Sequence, residues 1–307
     1  MARKRKGRSL DGILLLDKPT GESSNRVLQQ VRRLYNAAKA GHTGSLDPLA
    51  SGMLPICFGE ATKFSQYLLN SDKSYRVTGK LGETTTTADA EGEVRERREV
   101  NVSESQLLDV VKSFLGESMQ VPSMFSALKH NGQPLYKLAR QGIEVERKAR
   151  AIHIYRIELE SYNGNEFSLF VECSKGTYIR NLVEDIGEIL GCGAHVIALR
   201  REWVAHFKTD NMISIADIQS LRDDDKFAEM DELLLPSDEA LSGYPSVELD
   251  HDSAFYFLQG QSVTVTDSEL EHHPVIRVYD EHHRFLGVAA IDDELQLAPK
   301  RVIANRD

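Results

Sequence analysis

The stretch GHTGSLDPLASGMLPICFGEATKF, Gly41 to Phe64, sets one histidine and one aspartate among small, turn-forming residues and then runs straight into apolar chain. Gly41, Gly44 and Pro48 punctuate a loop, because glycine supplies backbone angles that other residues adopt at a cost. A short polar loop held by Gly and Pro on a hydrophobic scaffold is a common way to present a reactive side chain. Asp47 is the only carboxylate between Glu22 and Glu60, so acid chemistry in this loop would fall to it. On the loop alone, the plainer reading of Asp47 is a turn starter before Pro48.

Outward toward the N-terminus, GILLLDKP (Gly12 to Pro19) is a continuous apolar run ended by proline, which predicts a buried strand. Ser23, Ser24 and Asn25 offer an N-cap, and Val27, Leu28, Val31, Leu34 and Tyr35 then recur at helical spacing. Toward the C-terminus, Ala61, Phe64, Tyr67 and Leu68 repeat at the same spacing. SYRVTGKLG alternates, with Tyr75, Val77 and Leu81 on one face of a predicted strand and Arg76, Thr78 and Lys80 on the other. Ser103 and Gln106 predict a capping box for a helix with the stripe Leu107, Val110, Val111 and Phe114, stopped by Gly116. HIYRIELESYNGNEFSLFVECS reads as a hairpin turned at Asn163-Gly164-Asn165. GTYIRNLVEDIGEILG reads as a helix with Ile179, Leu182, Val183, Ile186 and Leu190 on one side. Strands and helices interspersed with antiparallel hairpins predict an α+β fold. LLLPSDEALSGYPS (Leu233 to Ser246) marks a boundary, beyond which SVTVTD, PVIRVYD and FLGVAAID predict short strands of a small β-rich module.

A chain of 307 residues suits one large domain plus a smaller one. No apolar run approaches the roughly 20 residues that span a bilayer. The basic start MARKRKGRSLDG lacks the apolar stretch of a signal peptide, so residues 1–10 are expected to form a flexible tail and the protein to be cytoplasmic. Cys57, Cys173 and Cys192 are far apart and odd in number, which fits buried thiols and neither a disulfide framework nor a zinc site. The net charge of −10 argues at first against a nucleic-acid partner. Its distribution permits one: residues 1–200 hold 28 Lys+Arg against 24 Asp+Glu, whereas residues 201–307 hold 9 against 23. Asp223, Asp224 and Asp225 read as a solvated loop, and the pairs His272/His273 and His282/His283 are taken to lie on strands, where neighbours point to opposite faces and make poor metal sites.

GHTGSLDPLASGML resembles the signature loop of the TruB family of pseudouridine synthases, bacterial type, which modify the uridine at position 55 in the T-loop of tRNA. KPTGESS (Lys18 to Ser24), KSYRVTGKLGETTTTADAEG (Lys73 to Gly92), VPSMFSALK (Val121 to Lys129) and CSKGTYIRNLVEDIG (Cys173 to Gly187) resemble the same family, in its order. The likeness runs from about Asp11 to Trp203 and continues more weakly to the C-terminus. It implies a mixed-sheet catalytic domain over residues 11–240, with a T-arm-clamping insertion at about 124–152. It also implies a PUA-like RNA-contacting domain over residues 247–307.

The reaction so implied is an isomerisation: the uridine's C–N glycosidic bond breaks, the base turns, and a C–C bond to the same sugar forms. It needs no cofactor and no metal, and the chain has no P-loop, no GxGxxG after a strand and no Cys/His metal spacing. It needs an ionised carboxylate, an enclosed pocket and a way to extract the base. By resemblance Asp47 is the nucleophile, whether it attacks C1′ or C6 or assists proton loss at C2′, and Arg180 is the cation that pairs with it. Tyr75 and Tyr178 match the pocket tyrosines, His42 the residue that supports the flipped base, and Leu199 the apolar contact. Lys18, with Pro19, matches an early KP pair at the substrate site that mainly supports the loop. Lys63, Lys73, Arg76, Lys129, Lys137 and Arg140 are candidate phosphate contacts. Pro122-Ser123-Met124-Phe125 departs from the family's Pro-Pro-Met-Tyr and loses one hydroxyl. The expected partner is the T-arm of tRNA, bound by a monomer without an obligate protein partner or a membrane. A tRNA-folding chaperone is the rival of another class, but a pure binder has no need of Asp47, Arg180 and Tyr75 together. A glycoside hydrolase would require a second carboxylate at fixed separation, which no motif supplies.

Overall fold

The computed structural model describes residues 7–265 and 268–304. β1 (Gly12–Lys18) leads into α1 (Ser24–Leu34), β2 (Ala40–His42), β3 (Ala50–Phe58) and α2 (Ser65–Leu69). β4 (Lys73–Leu81), the ribbon of β5 (Glu83–Thr85) and β6 (Val94–Arg97), α3 (Glu104–Ser113) and β7 (Gly116–Gln120) follow. A small hairpin of β8 (Lys129–His130) and β9 (Gln133–Pro134) with α4 (Leu135–Ala139) precedes β10 (Arg150–Tyr162), β11 (Glu166–Cys173), α5 (Ile179–Ile189) and β12 (Ala194–Val204). β13 (Ile213–Ser214), α6 (Ile215–Asp223) and α7 (Phe227–Glu232) complete the large domain. The C-terminal part holds β14 (Ser246–Leu249), α8 (His251–Leu258), β15 (Val263–Thr264), β16 (Ile276–Asp280), β17 (Phe285–Ile291) and β18 (Gln296–Val302).

One mixed sheet runs β13-β1-β3-β12-β4-β11-β10-β7, with β2 added beside β3. The β1/β13 and β3/β12 pairs are parallel and the other neighbours antiparallel. β1 reads as an unbroken apolar run because it separates two cores. Leu14 and Leu16 face the helices α1, α3 and α5, whereas Ile13 and Leu15 face the opposite side. β3 divides the same way, Leu54, Ile56 and Phe58 against Met53 and Cys57. Farther along the sheet that second face is open and polar, where Arg76 pairs with Glu160 at 3.0 Å and Arg156 with Glu158 at 2.8 Å.

The expected capping box is present, with Ser103 and Gln106 satisfying each other's backbone N–H groups. The chain's strongest turn joins β10 to β11 as the Asn-Gly pattern predicts. β12 was not among the expected strands; it nonetheless joins the two halves of the sheet, parallel to β3 and antiparallel to β4. Of SVTVTD only Val263–Thr264 pair, and Thr266 and Asp267 lie outside the described residues. Residues 1–6 of the expected tail also lie outside them. Gly7 to Leu10 are tied down: the Arg8 backbone donates to Asn36 O at 2.6 Å and its guanidinium pairs with Asp231. The histidine pairs do not lie on strands: His272 ends a short 3-10 helix with His273 after it, and His282/His283 sit in the turn between β16 and β17; no group of three potential metal ligands gathers among the described residues. The three cysteines are buried thiols.

The C-terminal strands form a five-stranded sheet, β14-β16-β17-β18-β15, around Phe257, Ile276, Val278, Ala289 and Leu297. This module is docked on the large domain. Val288 joins the core that holds Ile13, Met53 and Phe64, and Phe285 packs its ring 5.2 Å from that of Phe64. Polar contacts reinforce the seam, with Lys63 Nζ donating to Val302 O at 2.9 Å and the Ala304 backbone to Glu60 Oε2 at 2.8 Å. Among the described residues no helix is long and apolar enough to cross a membrane.

Candidate active site

The loop from Thr43 to Leu49 is fastened from beneath at several points. Ser24 is buried and its hydroxyl both donates to Leu46 O (2.8 Å) and accepts from Leu46 N–H (2.7 Å). Ser23, its neighbour, caps α1, which leaves Ser24 free for the loop. Lys18, fully buried at the end of β1, directs its ammonium at Ala50 O (2.6 Å), Pro19 O (2.8 Å) and Pro48 O (3.5 Å). Burial lowers this ammonium to about 8. Lys18 therefore fastens the loop from a buried position, close enough to Asp47 for their charges to interact. Gly52 allows β3 to meet β12 closely: at φ +97° it lies where a Cβ would stand 2.2 Å from Arg201 O.

Held in this way, Asp47 meets Arg180, which projects from the first turn of α5; Nε and Oδ2 are 2.9 Å apart. Arg180 is buried, and both of its terminal nitrogens are engaged. Nη1 reaches Thr87 O at 2.8 Å and Asp89 Oδ2 at 3.4 Å, and Nη2 reaches Phe125 O at 2.9 Å. Asp89 is itself 3% exposed and accepts from Thr87 Oγ1 at 2.5 Å and Glu91 N–H at 3.1 Å. The result is two cations, Lys18 and Arg180, around two carboxylates, Asp47 and Asp89. Loss of solvent pushes the Asp47 carboxyl upward, Arg180 and Lys18 draw it down, and Asp89 adds to the upward push. The guanidinium at 2.9 Å is the largest influence opposing that rise.

β4 and β12 build the wall beside Asp47. Tyr75 pairs across the ladder with Arg201, and Leu199 pairs with Val77 on one side and Ala50 on the other. Tyr75 and Leu199 are nearly buried. Arg201 is wholly buried, donates to Met53 O (2.7 Å) and Gly44 O (3.3 Å), and faces the Tyr75 hydroxyl. Burial raises the Tyr75 phenol while Arg201 opposes the rise. His42 ends β2; burial and the Arg201 charge lower its imidazole, which keeps it neutral, and its Nδ1 has no hydrogen-bond partner among the described residues. Tyr178 is the N-cap residue of α5, with its phenol beside Ser126.

The fold thus gathers Asp47, Arg180, Tyr75, His42, Tyr178 and Leu199 around one place and puts Lys18 under it. Three residues here carry no assigned role in the sequence reading: Asp89, Arg201 and Gln120, whose amide contacts the Tyr178 backbone; Ser24, read there as a cap candidate, instead fastens the loop. Asp89 stood within the quoted TTTTADAEG motif, and Arg201 is two residues beyond Leu199 on one strand face, which was the available signal. A cleft of ≈ 240 Å³ opens beside the loop on the polar sheet face, between Leu49, Ser51, Leu199 and the Arg76–Glu160 pair; Asp47 does not line it.

The proposed phosphate contacts divide sharply. Lys63 is engaged by Glu60 at 2.5 Å, and Lys73 is buried with its ammonium 2.6 Å from Ser71 O. Arg76 is exposed but paired with Glu160 and Glu202. All three thus have partners within the protein. Lys129, Lys137 and Arg140 are exposed and carry no ion pair among the described residues. They lie on the expected insertion, which has its own small core of Met124, Leu135 and Leu138. Phe125 contributes its carbonyl to Arg180, a contact that the missing hydroxyl does not touch.

Family models match the chain in three consecutive pieces: "TruB family pseudouridylate synthase (N terminal domain)" over residues 32–179, "tRNA pseudouridylate synthase B C-terminal domain" over 180–242, and "Pseudouridine synthase II TruB, C-terminal" over 245–303. The tRNA pseudouridine synthase B of Shewanella denitrificans is 51% identical over 310 residues, 99% of this chain and 97% of that protein. That of Aeromonas salmonicida is 53% identical over 315 residues, covering 100% and 98%. The chain belongs to the TruB family of pseudouridine synthases. Its fold is that of the family's wider group: a chain in the crystal structure of a Cbf5-Nop10-Gar1 complex superposes with a TM-score of 0.76 at 25% identity, over 96% of this chain and 85% of that one. The TruB family membership agrees with the mixed sheet and with a PUA-like C-terminal sheet.

Proposed function

We propose that this pseudouridine synthase isomerises the T-loop uridine at position 55 of tRNA, with Asp47 as the nucleophile. One observation carries the reading: a carboxylate held 2.9 Å from a buried guanidinium, on a loop fixed from below, beside a wall of Tyr75 and Leu199. Arg180 favours the ionised form of Asp47 against the upward push of burial. Tyr75 offers a ring for stacking on a flipped uracil, Leu199 and Tyr178 border the same space, and neutral His42 supports the extruded base without repelling Arg201. In the reaction the C1′–N1 bond breaks and the C1′–C5 bond forms. The C5 proton leaves to water and N1 gains a proton, so atoms balance without a cofactor. Lys129, Lys137 and Arg140, free of ion pairs, supply phosphate contacts to the T-arm.

The enzyme acts as a monomer on one tRNA, in the cytoplasm, with no protein partner. The exposed Lys129, Lys137 and Arg140 of the insertion would serve a folding-chaperone role on the same tRNA as well. The test is tritium release from C5-tritiated uridine in unmodified tRNA, wild type against Asp47→Asn. Release from wild type alone is expected. Undiminished release from Asp47→Asn removes Asp47 from the chemistry, and tight binding with no release from either leaves the chaperone role alone.

A further inference from the structure

α5 begins without a local cap. Its N-cap residue is Tyr178, at φ −99° and ψ 107°, and no side chain of its own turn satisfies the exposed backbone donors. Tyrosine is a poor choice there, since Ser, Thr, Asp and Asn normally fix such a start. The missing restraint comes from a different strand. Gln120, the last residue of β7, is 6% exposed, and its side-chain amide grips Tyr178 twice: Oε1 accepts from Tyr178 N–H at 2.8 Å, and Nε2 donates to Tyr178 O at 3.1 Å. Tyr178 O also accepts the first helical bond, from Leu182 N–H at 3.1 Å, so one carbonyl serves both the helix and Gln120. Arg180 lies two residues further on, in the turn that this grip orients, and Phe125 O, five residues after Gln120, takes the other end of its guanidinium.

We propose that Gln120 is a positioning residue for the isomerisation: its two-way amide contact with Tyr178 sets the first turn of α5 and thereby the place of Arg180 against Asp47. The inference rests on the reaction assigned above to Asp47. The groups facing Asp47 are Lys18 of β1, Asp89 of the turn after β5, Arg180 of α5, and the phenols of Tyr75 and Tyr178, with Glu91 nearby. Of these only Arg180 and Tyr178 are placed by Gln120.

The experiment compares wild type, Gln120→Met and Gln120→Glu. Methionine keeps the length and removes both hydrogen bonds, whereas glutamate keeps the acceptor and loses the donor. Single-turnover tritium release at saturating enzyme is followed across pH, with tRNA affinity and Tm measured on the same proteins. Gln120→Met is expected to lower the rate roughly 10- to 100-fold, the effect of a sub-ångström misplacement. Its affinity is expected to stay within about 3-fold, because no phosphate contact changes. The acid limb of its rate profile moves to higher pH, as Asp47 loses part of its hold on the guanidinium. Gln120→Glu falls between the two. A folded Gln120→Met with the wild-type rate and limb overturns the proposal. So does a rate loss that follows the folded fraction with the limb unmoved, since that is all a merely structural residue would produce. If Gln120→Met does not fold, Gln120→Glu decides by the same readings. An inactive wild type overturns the reaction itself and Gln120's role with it, while an active wild type beside an unaffected variant defeats Gln120 alone.

Discussion

Replacing Asp89 by Asn keeps the shape of the side chain and removes one charge from beneath Asp47. Asp89 is 3% exposed and stands 3.4 Å from Arg180 Nη1. At an effective dielectric of about 20 the gross attraction at that distance is about 5 kcal/mol, much of it offset by desolvation. Stripping a buried charge of its sole partner costs about 3–5 kcal/mol. Arg180 retains Asp47 and two backbone carbonyls, so the net loss expected here is nearer 2 kcal/mol, a fall in Tm of roughly 4–8 °C. The sign for Asp47 is opposite. Asp89 pushes its carboxyl up, so an amide lets it fall, and the acid limb of the single-turnover profile moves to lower pH. On the plateau the rate drops about 10- to 100-fold, because Arg180 has lost one of the tethers that orient it. Thermal melts and tritium release across pH measure all three. An Asp89→Asn protein with wild-type Tm and plateau, or with its limb moved upward, refutes the charge coupling described here.

Asp47→Asn is expected to abolish product while Tm at neutral pH equals or exceeds that of wild type; its carboxyl is raised in the fold, so the ionised form weighs against folding above that pKa and the amide removes the handicap. Differential scanning calorimetry beside the release assay checks the pair. Arg180→Lys is expected to lose about 100-fold or more in single-turnover rate, since one ammonium cannot reach Asp47, Asp89, Thr87 O and Phe125 O together. Changing Lys129, Lys137 and Arg140 together to Ala is expected to weaken tRNA binding and flatten its salt dependence by about one unit of slope per lost contact, with the saturated rate kept. Burial holds Lys18 and Lys73 at about 8 against an ordinary 10.5, so their protonation weighs fully against the fold below pH 8 and stability rises as pH climbs from about 8 to 10.5. Lys18→Met is expected to reduce that rise in urea titrations while lowering stability overall through the loop carbonyls it abandons.

The strands and helices with a clean period were legible from the residues: β1 from its unbroken apolar run, β4 from alternation, α1 from its stripe and cap. β12 was not, because a strand crossing from a helical core to a charged face carries Arg200 and Arg201 in succession, and only the fold shows that one guanidinium pairs with Asp17 outside while the other is buried on Met53 O. Asp47 and Arg180 were found through the motifs around them; periodicity has no means of joining residues so far apart in the chain. Asp89 and Gln120 escaped for the same reason, since each acts only through a partner brought from elsewhere. The sequence also did not show that Lys63 and Lys73 reach back to a carboxylate and to carbonyls, since it does not say which way a flexible side chain turns.

The seating of Val288 and Phe285 in the core behind β1 and β3 makes the C-terminal sheet the lid of that core, besides any contact it makes with RNA. Cutting the gene after Ser246 would take Phe285 from the face of Phe64 and Val288 from the shared core, and the product is expected to be a sticky fragment before it could be a slower enzyme. Heating is expected to give one calorimetric peak for both modules. Natural selection meets the same bond: a lineage that ceased to need the module for recognition would still be obliged to keep it for solubility.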